Sequence, residues 1–71
     1  NDRILELCYE KPREALKACE KVIAQSQKCH FYPGEVRGLI RMGICCDVLS
    51  KPEDAIRYYQ KARLLLKRTG I

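Results

Sequence analysis

Apolar residues recur along this chain at the spacing of a helix rather than a strand. Between residues 12 and 28, Ala15, Cys19 and Val22 fall at i, i+4 and i+7, and between 53 and 69, Ala55, Tyr59 and Ala62 do the same. That rhythm sets three side chains on one buried stripe of an α-helix, where a half-buried strand would alternate every second residue. A further stretch, 35–49, carries Val36, Leu39, Met42, Gly43, Cys46 and Leu49 along one side. Gly43 inside it costs about 1 kcal/mol relative to Ala, and is expected to mark the close approach of a neighbouring helix. Residues 2–9 read as the end of an equivalent helix cut short, and 29–34 as a loop around Tyr32-Pro33-Gly34. The pattern predicts an all-α chain in which a short helix is followed by helices 12–28, 35–49 and 53–69, all antiparallel neighbours.

The chain also repeats itself. Residues 11–22 lie over residues 51–62 at an offset of 40 with no gap. Lysine, proline, alanine and lysine recur identically, at Lys11/Lys51, Pro12/Pro52, Ala15/Ala55 and Lys21/Lys61. Each copy carries the marks of a helix start. Proline suits the first helical position, where its missing N–H is not needed, and Glu14, or Glu53 with Asp54, places negative charge where the helix dipole favours it. The last helix ends in Arg63, Lys67 and Arg68, and Gly70 reads as a left-handed cap with Ile71 as its hydrophobic contact. The same offset carries Gly70 onto His30. Histidine is among the few non-glycine residues enriched at positive φ, so the only histidine reads as a helix cap and not as a base or a ligand.

These residues resemble the tetratricopeptide repeat family. In its pattern a Leu-Gly pair in the first helix is followed by an alanine in the second and an aromatic four residues on. Leu39, Met42-Gly43 and Cys46 occupy the first helix here, Ala55 and Tyr59 the second, with Ala62 at the next small position. Leu39 and Cys46 replace the usual aromatics, and Lys67 stands where a proline commonly ends the repeat. A period of 40 in place of 34 is similar to the longer-repeat branch, as in kinesin light chain and the Leu-Gly-Asn-repeat scaffolds. The resemblance implies antiparallel helix pairs of an α-solenoid, with 1–34 a truncated first repeat and 35–71 a complete second one. Fewer than two repeats do not hide their apolar faces. The chain, which lacks an initiator Met, is therefore expected to be a piece of a longer array, or to self-associate through the last helix, where Leu64, Leu65 and Leu66 run consecutively around the surface.

Composition bounds the chemistry. The chain has 71 residues, 46% apolar and 32% charged, which fits one small globular domain with a modest core. Apolar runs are too short to span a bilayer, and no signal peptide is visible. The net charge of +5 lies wholly in the second half, since residues 1–35 hold six basic and six acidic side chains and residues 36–71 hold eight and three. Five cysteines (Cys8, Cys19, Cys29, Cys45, Cys46) form an odd set without CxxC spacing. They read as reduced thiols used as small core hydrophobes, which fits a cytoplasmic or nuclear protein. A capping histidine, no Gly-rich phosphate loop, no paired carboxylates on a buried face and no metal-ligand spacing leave no catalytic constellation. The expectation is a non-enzymatic chain with no cofactor.

In the family, the first helix of each repeat lines the concave surface that grips partner peptides. Carried over by position, the resemblance assigns that surface to Arg37, Ile40, Arg41, Ile44, Asp47 and Val48. The periodicity agrees, because these residues lie away from Leu39, Met42 and Cys46. Ile40 and Ile44 are then apolar yet uncommitted to the core, beside two guanidinium groups one turn apart, which suits a peptide with an acidic side chain or terminus. Arg37 and Arg41 also resemble two basic positions of the carboxylate clamp of chaperone-binding members. The competing reading for both is a pair of solvated surface arginines. Of the tyrosines, Tyr59 is expected in the core and Tyr9 and Tyr58 packed between helices. The leading expectation is thus a scaffold or adaptor segment that binds protein. The runner-up is nucleic-acid binding through the last helix, where Arg57, Lys61 and Arg68, with Arg63 and Lys67 nearby, form a basic stripe.

Overall fold

A computed structural model describes residues 2–69. They form four helices: α1 (Asp2–Glu10), α2 (Pro12–Lys28), α3 (Tyr32–Val48) and α4 (Pro52–Thr69), with no strand among the described residues. The all-α expectation holds, and the packing is compatible with a small helical repeat. Gly70 and Ile71, read from sequence as a cap, lie outside the described residues.

Pro12 and Pro52 open their helices as expected, and Pro33 sits in the first turn of α3. In each of the three, the carbonyl just before the helix accepts the first intrahelical hydrogen bond. Ala15 N–H reaches Lys11 O at 3.0 Å, Glu35 N–H reaches Phe31 O at 3.3 Å, and Ala55 N–H reaches Lys51 O at 3.1 Å. The helix expected over 35–49 therefore begins three residues early and ends one residue sooner. Tyr32-Pro33-Gly34 is not a loop; it is the first turn of α3, and the repeat boundary drawn after residue 34 falls inside that turn. The connection consists of Cys29, His30 and Phe31 alone.

The closure of α2 explains this shift. His30 is left-handed (φ 55°), as expected, and its N–H bonds Gln27 O at 3.2 Å while Phe31 N–H bonds Ser26 O at 2.7 Å. This is a Schellman motif, which has turned the chain fully by Phe31, so the next helix can start at once. The same motif closes α3. Ser50 has φ 60°, its N–H bonds Asp47 O at 3.0 Å, and Lys51 N–H bonds Cys46 O at 2.8 Å. Helices thus start at residues 12, 32 and 52, and left-handed residues stand at 30 and 50. The 40-residue repeat seen in sequence is two steps of this 20-residue rhythm.

α3 is the hub: among the described residues it alone packs against every other helix. The contacts are made by small side chains. Cys8, Ala15, Cys19, Cys45, Ala55 and Ala62 are essentially inaccessible, and the largest fully buried side chains are cysteines. Two glycines complete the seams. A Cβ at Gly38 would lie 2.6 Å from Ile23 Cγ1 of α2, and one at Gly43 would lie 2.8 Å from Tyr59 Cδ1 of α4. Gly43 does mark a close helix approach, with the ring of Tyr59 against it. Ala15 and Ala55 are buried as the repeat requires, and so are Val36, Leu39, Met42 and Cys46.

Two expectations about the outer surface change. Leu65 and Leu66 pack against the Val36–Leu39–Ala62 cluster, so of the three consecutive leucines only Leu64 is exposed, at 61%. Tyr9 is 62% exposed rather than packed between helices, whereas Tyr58 and Tyr59 are half-buried. Tyr9 points away because α1 already fills its seam with Leu7 and the fully buried Cys8.

Two substitutions test these devices. Ser50→Gly removes the steric cost of a side chain at positive φ and is expected to stabilise the chain by about 1 kcal/mol, while Ser50→Val destabilises it. Gly38→Ala gains helix propensity but drives a methyl into Ile23 near its backbone, where overpacking costs about 1–3 kcal/mol. A lower urea midpoint for Gly38→Ala is the expected net result.

Candidate functional site

The seams commit two sides of α3, one to α1 and α2 and the other to α4. A third side stays open, and residues of α3 at i, i+3, i+4 and i+7 point along it. Arg37, Ile40, Arg41 and Ile44 line a groove of about 360 Å³ there, together with Pro33 and Val36. Leu5 of α1 forms one wall and Leu66 of α4 the other. Four of the six residues assigned from sequence are therefore brought to one surface.

Within the groove their roles differ. Ile40 is 40% exposed and stands open to solvent. Ile44 is half-buried and packs against Cys8, Ala15 and Cys45, so it is partly committed to the core, contrary to expectation. Its position toward α1 puts it within reach of the small Cys8–Ala15 seam, which needs a larger neighbour to fill it. Arg37 is exposed and Arg41 half-buried. The backbone of Arg41 is held from below, since its carbonyl accepts the Cys8 thiol at a sulfur–oxygen distance of 3.7 Å.

The other two residues stand apart. Asp47 accepts a hydrogen bond from the Tyr59 hydroxyl at 3.2 Å, which ties it to the α4 seam and shields part of its charge. Val48 is the last residue of α3 and, though exposed, does not reach the groove. Leu5 and Leu66 escaped sequence reasoning. The 12–28 and 53–69 stripes identify what faces inward within a helix, but not which leucine of a distant helix walls a groove. Burial raises the Tyr59 hydroxyl above its ordinary pKa, with Asp47 adding to it, so the hydroxyl stays a donor to Asp47 at neutral pH.

A second, larger groove of about 500 Å³ runs between α2 and α4 on the opposite side of α3. Ile23, Leu39 and Met42 floor it, with Glu20 and Glu35 on one rim and Lys61 and Arg68 on the other. Glu35 accepts a hydrogen bond from Gln27 at 3.2 Å, and Lys61 lies 5.6 Å from the centre of the Tyr58 ring. Two residues of the basic stripe proposed for nucleic acid thus face carboxylates or stack on an aromatic, and the stripe is divided between two sides of α4.

All five cysteines are free thiols, four buried and Cys29 exposed. Burial, aided by the neighbouring Cys8, pushes the Cys19 thiol from 9.0 to about 11, and Cys45 is likewise pushed up by burial and by Cys8. These thiols behave as packing groups. Among the described residues no three His, Cys, Asp or Glu side chains are placed to hold a metal ion. No helix among them is long and apolar enough to cross a membrane.

Comparison with family models, curated proteins and solved structures returns no match. The groove must be read from its own chemistry. Among the described residues it offers an apolar floor, the exposed guanidinium of Arg37 and the half-buried one of Arg41, with no acidic side chain in the lining.

The buried thiols give a pH test. A thiol whose folded pKa is raised keeps its full stabilising effect below the unfolded value near 9, and loses it as pH rises toward about 11. Thermal melts are expected to be flat through neutrality and to fall steeply above pH 9, with Cys19→Ala removing part of the fall. At pH 8 a thiol reagent is expected to label Cys29 at once and the other four only on unfolding.

Proposed function

We propose that this chain is a non-enzymatic helical-repeat segment of the tetratricopeptide type that binds a partner polypeptide in the groove on the open side of α3. The observation that carries the reading is the convergence of Arg37, Ile40, Arg41 and Ile44 with Leu5 and Leu66 on one concavity. An apolar side chain of the partner enters between Ile40, Leu5 and Leu66. A carboxylate, from an acidic side chain or a chain terminus, lies along Arg37 and Arg41. Guanidinium pairs with carboxylate in a two-pronged geometry, and the half-buried Arg41 loses less rotamer entropy on binding than a free surface arginine. Such a segment serves as part of a scaffold or adaptor in the cytoplasm or nucleus. Placing an uncompensated pair of cations beside exposed isoleucine is unfavourable for the free surface and favourable once an acidic, apolar partner covers it.

A fluorescent library of peptides ending in an apolar residue next to an acidic one tests this by anisotropy. Binding is expected to weaken more than about tenfold in Arg37→Glu/Arg41→Glu, since truncating a buried charge pair costs about 2–5 kcal/mol. Ile40→Ser is expected to weaken it separately, with helicity retained in both. Binding that survives both variants, or none to any peptide, removes the groove as the site. Duplex and single-stranded oligonucleotides serve as the control arm, where steep salt-dependent binding would favour the basic-stripe reading.

A further inference from the structure

The face of α4 that points away from α3 has a counterpart within the molecule. On α2, Leu16, Cys19, Ile23 and Ser26 face α3. Cys19 and Ser26 are buried, Leu16 packs on the Cys8–Ala15–Cys45 cluster, Ile23 lies against Gly38, and the Ser26 hydroxyl lies against Gly34. Forty residues on, the same positions of α4 are Ile56, Tyr59, Arg63 and Leu66; Tyr59 lies against Gly43 and Leu66 packs on the Val36–Leu39–Ala62 cluster, so α3 covers these two and leaves Ile56 and Arg63. Here no helix follows in the described residues: Ile56 is 55% exposed and Arg63 is exposed. The outward stripe continues as Gln60, Leu64 and Lys67. Beyond its first turn α4 holds five basic residues and no acidic one.

Charge decides what can cover this stripe. Two copies of α4 meeting across a two-fold axis would set Arg63 and Lys67 against their own kind, which costs free energy with no compensation. The first helix has the complementary character. α1 carries three acidic residues and one basic, and its exposed row is Glu6, Tyr9 and Glu10, with an aromatic ring bare among the carboxylates.

We infer that a second copy of this chain docks head to tail, with the Glu6–Tyr9–Glu10 face of its α1 on the Ile56–Arg63–Lys67 face of α4. Tyr9 supplies apolar area over Ile56 and Leu64, and the two glutamates meet Arg63 and Lys67. The interface is heterologous, so each added copy exposes a fresh α4 face and growth does not close at two. It uses neither Arg37 nor Arg41 and stands independently of the peptide groove.

Sedimentation velocity on the whole chain over a wide concentration range tests the contact. The expected result is a concentration-dependent ladder that continues past the dimer and shrinks as salt is raised. Arg63→Glu/Lys67→Glu makes both ends acidic, and Glu6→Lys/Glu10→Lys makes both ends basic. Each variant alone is expected to be monomeric with native helicity by circular dichroism, and an equimolar mixture to assemble again. All four positions are exposed, so folding is not at stake in either variant. A wild-type chain that stays monomeric throughout, a dimer that stops at two, or assembly unchanged in both variants would overturn the inference.

Discussion

The whole arrangement depends on how closely α3 can be approached from two sides at once. Gly38 and Gly43 lie five positions apart, about 140° around a helix of 3.6 residues per turn, and so face different neighbours. Ile23 of α2 closes on one and the ring of Tyr59 of α4 on the other. Each glycine weakens the helix by about 1 kcal/mol relative to Ala. That cost is offset because Ala15, Cys19, Cys45, Ala55 and Ala62 can then bring backbones together and bury the seams completely. The tightest seams are lined by alanine and cysteine, which bring little apolar area per side chain and stabilise by close contact, while Val36, Leu39 and Met42 supply the larger buried groups. Ile40, Leu5, Leu64, Leu66 and Ile56 stay less buried and wall grooves and outer faces.

The repeat was the most legible feature of the sequence because it rests on identities that need no knowledge of packing. Pro12 and Pro52 open helices, Ala15 and Ala55 are buried, and His30 is left-handed where its counterpart is glycine. The 20-residue rhythm behind it was hidden. Serine carries no left-handed signal, so Ser50 gave no sign of matching His30. The start of α3 is obscured for a related reason. Tyr-Pro-Gly is a turn sequence on its own, but proline is equally suited to the first turn of a helix. What decides between the two is whether the chain has already turned, and the hydrogen bond from Phe31 to Ser26 shows that it has.

The groove was legible only on the helix that contributes most of it. Helical periodicity ranks the sides of α3 by apolarity, and Arg37, Ile40, Arg41 and Ile44 emerge from it in order. It cannot show that Asp47 is already held by Tyr59, because that bond crosses from α3 to α4. Nor can it separate Leu66, which turns toward Val36, from Leu64, which turns to solvent, since both stand in one run of leucines.

The groove and the buried thiols are coupled through α1. Nine residues are too few to hold a helix in water without tertiary support, so Leu5 keeps its place only because Cys8 is locked between Ala15 and Cys45. The Cys8 thiol also bonds the carbonyl of Arg41, the residue that faces the groove from the other side of the same backbone. One small, fully buried side chain thus fixes both the wall of the groove and the stem of its half-buried cation. A larger residue at position 8 would push α1 away from α3 and widen the groove at Leu5. A smaller one would leave α1 without its anchor. The thiol has the volume that the seam accepts and the weak donor that Arg41 can use. It is therefore at Cys8, outside the groove's own lining, that the packing of the core and the shape of the binding surface become the same constraint.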